Sequence, residues 1–118
     1  MLDKWVNFFG DIGITASKWT LPKGSRKEIV PAPYVVLQKE VKKITYADNK
    51  PYQIDVLIYI ISVTDPDDEE TEKLIETTMW DKEINYEPGE ETYDSAMGAH
   101  IREFLVYESM TYTEYIRG

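Results

Sequence analysis

The chain contains no cysteine, and that one absence removes disulfides, thiolate metal ligands and cysteine nucleophiles together. Such a composition suits a protein made in a reducing cytosol. Histidine occurs once, as His100, within a stretch that reads as a strand. Nucleophilic catalysis of the Ser-His-Asp kind would have to be built around that single ring, and we expect a partly exposed sheet residue instead. Long hydrophobic runs are missing as well. The longest, residues 56–63, is interrupted by Tyr59 and Ser62 and falls far short of the roughly 20 residues that span a bilayer. Residues 1–9 carry one lysine and one aspartate, too polar and too short for a signal peptide. A soluble chain with no membrane partner is expected.

Motifs for small ligands are equally scarce. Lys23-Gly24-Ser25 resembles the end of a phosphate-binding loop, but no strand precedes it and no helix follows to aim backbone amides at an anion. The acidic run of residues 65–70 offers many oxygens, yet at a helix start they splay around the axis instead of converging on a cation. Among 22 acidic residues, some pair always has the separation that glycoside chemistry needs, so abundance carries no signal there. The expectation is a non-enzymatic protein with no cofactor and no metal.

What the sequence does contain is material for one core and an uneven distribution of charge. At 118 residues and 42% hydrophobic content the chain is the size of one ordinary domain. Its formal net charge is -9. Residues 18–43 hold Lys18, Lys23, Arg26, Lys27, Lys39, Lys42 and Lys43 against Glu28 and Glu40 only, whereas residues 44–118 hold 18 acids against Lys50, Lys73, Lys82, Arg102 and Arg117. A polar chain of this kind can set its basic part on the acidic part of a neighbour. The overall sign is wrong for gripping nucleic acid, but a negative surface lets DNA slide past.

Periodicity supplies the elements. Leu2, Trp5, Val6 and Phe9 share one helical face, and Gly10 is expected to end that helix. A short strand is expected near residues 18–20. Residues 21–33 then form a long basic loop with Pro22, Pro31 and Pro33, which argue against a helix or a central strand. Tyr34-Val35-Val36-Leu37-Gln38 and Ile44-Thr45-Tyr46 read as two strands or one bent strand. Residues 47–51 form a turn, because Asp and Asn tolerate positive φ and Pro51 cannot donate to a ladder.

The return arm of this hairpin, residues 52–63, puts Tyr52, Ile54, Val56, Ile58 and Ile60 on a core face and Gln53, Asp55, Leu57, Tyr59 and Ile61 on a mixed one. Asp65-Pro66-Asp67-Asp68 starts a helix with Asp65 as its cap, packed through Thr71, Leu74, Ile75, Thr78 and Met79. A short strand over residues 83–87, a Pro88-Gly89 turn and a last strand over residues 99–108 follow. Residues 109–118 are left as a tail with little to pack on. The fold class is α+β: one small domain, residues 1–118, with an antiparallel sheet packed against two helices.

One stretch carries a recognisable pattern. Pro33-Tyr34-Val35-Val36, then Tyr46-Ala47-Asp48-Asn49-Lys50 and Tyr52-Gln53-Ile54, an alternating strand, and Asp65-Pro66 opening an acidic helix together resemble the tail-completion (tail-terminator) proteins of siphophages and related prophages of Gram-positive hosts. The most specific piece is Tyr46, Ala47, Asp48 and Asn49 with Tyr52. The similarity runs over residues 31–80 and more loosely to Tyr107; the chain departs from the usual pattern in the strand after Asp55 and in its long basic loop.

The resemblance implies a virion protein of tail and neck, assembled in the host cytoplasm. Such a protein forms a homohexameric ring on the head-proximal end of the tail tube, stops tube growth and joins tail to head. Its partners would be further copies of itself, the major tail tube protein and the head-completion (stopper) protein, with DNA passing through the lumen without sequence-specific binding. A ring subunit meets its neighbour through two different patches. Lys23, Arg26 and Lys27 in the basic loop and Tyr112, Tyr115 and Ile116 in the tail are the expected interface residues. Two alternatives stay open: a head-completion, stopper or other neck-ring subunit, and an acidic protein that mimics DNA to inhibit a host enzyme.

Overall fold

The computed structural model describes residues 2–18, 32–96 and 98–117. The first helix, α1 (Asp3–Asp11), buries Trp5 and Phe9, and Leu2 joins them. It runs one residue past Gly10. The chain turns afterwards, with Ile12 N–H donating to Phe9 O at 3.1 Å, Gly13 N–H to Gly10 O at 3.0 Å and Ile14 N–H to Phe9 O at 2.9 Å. Gly13 takes φ 80 there, a conformation that costs glycine little. The turn delivers Ile14 to the core and starts β1 (Thr15–Lys18) earlier than residues 18–20, the expected position.

The strand β2 (Tyr34–Ala47) is continuous, and β3 (Lys50–Thr64) returns antiparallel to it. The expected bend is a register shift between Val41 and Lys43. It places an extra residue in β2 and lets the long strand twist without breaking. The turn is tighter than residues 47–51. Ala47 already pairs with Lys50, Asp48 and Asn49 have φ 52 and 63, and both values match the two-residue hairpin turn whose twist suits its strands. Pro51 lies inside β3, where a second register shift between Thr45 and Tyr46 accommodates it.

The helix α2 (Glu69–Asp81) is capped by Asp68, not by Asp65. The Asp68 carboxylate accepts from Thr71 N–H at 3.1 Å and from Thr71 Oγ1 at 2.7 Å. Three aspartates compete for the cap, and the one directly before the first turn reaches the free amides. In β4 (Glu87–Asp94), Pro88 and Gly89 are part of the strand and not a turn; the register shifts between Pro88 and Glu91. Gly89 is needed for proximity, since a Cβ there would lie 2.7 Å from the Cβ of Glu103.

The last strand, β5 (Ala99–Thr111), is longer than residues 99–108, and what was expected as a loose tail becomes α3 (Tyr112–Arg117). Thr111 and Glu114 form its capping box. Glu114 N–H donates to Thr111 Oγ1 at 3.2 Å, and Thr111 Oγ1 donates to Glu114 Oε1 at 2.9 Å.

The sheet order is β1-β2-β3-β5-β4. It is mostly antiparallel, as expected, with one parallel pair, β1 with β2. The architecture is a small α+β domain with three helices. One continuous core joins Trp5 and Phe9 of α1, Ile75 and Met79 of α2, Leu37 of β2, Ile58 and Ile60 of β3 and Phe104 of β5, with Tyr112 and Tyr115 of α3 packed against its margin. On the opposite face a smaller cluster of Tyr34, Val36, Val63 and Ala99 is flanked by Ile61 and Ile101.

Candidate functional site

Between Val41 and Tyr52 the hairpin of β2 and β3 leaves the body of the domain, and every residue of that stretch is exposed. Its β-branched content and the pairing of the two strands maintain it as sheet. Tyr46, Ala47, Asp48, Asn49 and Tyr52, the most specific part of the resemblance, stand at its tip. Tyr46 and Tyr52 are 61% and 58% exposed, so Tyr52 does not join the core face on which alternation placed it. Val41 and Ile44 add apolar surface along the arm.

The charges of the arm divide into held and free. Lys42 Nζ donates to Glu40 Oε1 at 3.0 Å and Tyr59 donates to Glu40 Oε2 at 2.8 Å. These bonds, that from Lys42 first, hold the Glu40 carboxyl below the usual carboxylate range, and the same contact with Glu40 raises Lys42 and Tyr59. Lys39 lies 4.6 Å from the ring centroid of Tyr115, a cation–π contact. Lys43 and Lys50 make no ion pair among the described residues.

The remaining expected interface residues fare differently. Lys23, Arg26 and Lys27 lie outside the described residues. Tyr112 and Tyr115 are half-buried, with ring centroids 6.2 Å apart, and only Ile116 of the three is well exposed, at 64%. The C-terminal aromatic pair therefore has a partner within its own domain, contrary to the expectation of a tail with little to pack on.

A second cluster was not anticipated from sequence. His100 and Arg102 share the inner face of β5 with Phe104, and there they meet three carboxylates. His100 Nδ1 lies 2.6 Å from Glu72 Oε1 and Nε2 lies 3.2 Å from Glu91 Oε1. Arg102 contacts Glu72 at 3.4 Å, Glu91 at 3.8 Å and, most closely, Glu76. Glu72 Oε1 has no well-aligned hydrogen bond despite the short distance, so its contact with the ring is an ion-pair contact of poor angle.

Burial opposes the charge on Arg102, but hydrogen bonds and Coulombic attraction from Glu76 and Glu72 outweigh it and raise its pKa. The guanidinium also stacks 4.6 Å from the Phe104 ring centroid. The cluster ties α2, β4 and β5 together, and among the described residues no serine or threonine hydroxyl is hydrogen-bonded to His100. A sequence signal existed: Glu72 and Glu76 recur at one helical turn, and His100 and Arg102 at the strand period in phase with Phe104 and Val106. Among the described residues no group of His, Asp and Glu could hold a metal ion, and no helix is long and apolar enough to cross a membrane.

A cleft of about 380 Å³ opens beside the far end of β5, lined by Lys4, Trp5, Phe8, Ile84, Val106 and Glu108, among others. Lys4 pairs with Glu108 Oε1 at 2.6 Å. Among the described residues Trp5 Nε1 and Glu108 Oε2 are buried without hydrogen-bond partners, one donor and one acceptor on the wall of a cleft that Lys4 and Asn85 also line. A neighbouring cleft shares Ile84 and carries Trp80, whose 76% exposure is the highest of any large apolar residue among those described. Comparison of the chain with protein-family models, with curated proteins and with solved structures finds no match.

Proposed function

We propose that this chain is a structural subunit of a long-tailed phage that assembles into a ring, ends growth of the tail tube at its head-proximal end and joins the tail to the head. The observation that carries this reading is the β2–β3 arm. It spends many residues on an ordered, exposed projection whose tip bears Tyr46 and Tyr52 and whose edge bears lysines. The domain core needs none of them. Exposed aromatics rimmed by charge are what a protein–protein contact uses.

In this reading α1 and α2 form the layer that backs the sheet, and the arm is the part offered to neighbours. The partners are further copies of the chain in a ring, commonly six, with the major tail tube protein below and the head-completion protein above. The acidic excess of residues 44–118 suits a lumen that passes DNA without binding it. The protein acts by assembly and not by catalysis, located in the virion after assembly in the host cytoplasm.

The test is electron microscopy of lysates from a phage with a stop codon in this gene. DNA-filled heads beside unattached tails of abnormal length are expected. Free tails of normal length beside empty heads would move the protein to the head side of the neck, and normal particles would end the virion reading.

A further inference from the structure

Two strand edges in the arm half of the sheet have no strand beside them among the described residues. β1 accompanies β2 only from Tyr34 to Leu37, so among the described residues no strand covers the outer edge of β2 over residues 38–47. β4 accompanies β5 only as far as the Glu87–Leu105 pair, so among the described residues no strand covers the outer edge of β5 over residues 106–111. Such an edge presents unpaired N–H and C=O groups and is a template for another strand.

The two edges differ in charge. On the β2 edge Lys39, Lys42 and Lys43 stand against Glu40 alone. The β5 edge carries Glu108, which is paired with Lys4, and the chain from the end of α2 to the start of β4, part of which lines the same cleft, adds Asp81, Glu83 and Glu87 against Lys82. Like edges of two copies repel, which disfavours a closed dimer through β2 and β2. Unlike edges attract, which leaves a head-to-tail contact.

We propose that the open edge of β2 in one copy adds to the open edge of β5 in the next, joining the sheets of successive copies; this rests on the ring reading above. Both strands run antiparallel to β3, so they point the same way, and rotation about a ring axis preserves that direction. The added pair is parallel. Val41 and Glu108 stand level through their shared partner Val56, and Val56 is buried on the helix-bearing face. Val41 of the incoming strand then enters the cleft beside Trp5 and Val106.

The absence of cysteine provides a clean test. Lys43 and Ser109 both pair with Asp55, so they stand level on opposite edges of a three-stranded ribbon, and both are exposed. Within one copy they are two strand spacings apart, roughly 10 Å, beyond the reach of a disulfide. Purified Lys43→Cys/Ser109→Cys protein, oxidised at high concentration, is expected to give a ladder on a non-reducing gel that ends in a closed ring by native mass spectrometry, whereas each single variant stops at a dimer.

A double variant that yields nothing beyond the dimers of the single variants overturns edge pairing. The readout is independent of the tail. A stop-codon phage with abnormal tails together with an absent ladder sinks edge pairing and keeps the tail reading; a full ladder with normal particles sinks the tail reading and keeps edge pairing.

Discussion

The same two strands make both the best-buried and the most exposed parts of this molecule. Val35, Leu37, Ile58 and Ile60 have 0% exposure, while residues 41–50 of the same hairpin are exposed throughout. The buried half is held by side chains from α1, α2 and β5 and has the usual hydrophobic driving force. The arm has little of it. A two-stranded ribbon alone is marginal in water; this one gains its third strand from β5, which reaches Thr111 opposite Gln53, and a brace from α3 through Tyr115 on Lys39. Regular strand pairing without burial is the feature on which the proposed assembly role rests.

The sharpest way to break this comparison is to truncate one ring in each half. Phe104→Ala should cost about 3–5 kcal/mol of unfolding free energy, because the site is fully buried and leaves a cavity. Tyr46→Ala should change stability by less than about 0.5 kcal/mol. Urea unfolding of the two variants measures both, and a large loss at Tyr46 would mean that the arm belongs to the core.

Next in size is the charged cluster at the base. Arg102→Ala leaves Glu72 and Glu76 facing each other without their cation. A cost of about 2 kcal/mol is expected, below that of a fully buried pair because the Glu76 side chain is 35% exposed. The same unfolding experiment reads it, and a loss under about 0.5 kcal/mol would show that water replaces the guanidinium.

At the arm's turn, Asn49→Val places a β-branched residue at φ 63 and should cost about 1 kcal/mol, whereas Asn49→Gly should be near neutral. Chemical shifts of the tip together with unfolding midpoints separate local fraying from global loss.

The smallest effect concerns pH. Glu40 has a folded pKa below its ordinary value of 4.5, held down by Lys42 and Tyr59. A depressed acid contributes stability that is present above its unfolded pKa and disappears as pH falls through the folded one. The difference in urea midpoint between the wild type and Glu40→Gln should therefore exist at neutral pH and close as pH is taken below 4.5. A difference that instead grows on acidification would reverse the sign of this account.

Period, turn chemistry and capping made much of the fold legible. Ile54, Val56, Ile58 and Ile60 are a core face because a strand alternates, Asp48-Asn49 is the turn because both residues tolerate positive φ, and Ile75 with Met79 is the packed stripe of α2 because of the helical repeat. Errors arose where one local signal had several solutions. Four acidic or proline residues competed to start α2, and Pro88-Gly89 looked like a turn although Gly89 is there to let Glu103 approach. Tyr52 is exposed although alternation assigns it to the core face, because it is the unpaired residue at the register shift opposite Thr45 and Tyr46 and lies beyond the part of the sheet that the helices cover.

By itself, then, the sequence determined one α+β domain, its long hairpin and the segregation of lysines from acids, all of which follow from local spacing and composition. The tertiary structure alone decided that β1 meets β2 in parallel, that α3 braces the arm, that His100 and Arg102 join Glu72, Glu76 and Glu91, and that among the described residues no strand covers the edges of β2 and β5 in the arm. Each of these depends on where strands of unequal length stop beside one another, and that is a property of pairing across the chain, which no local window contains.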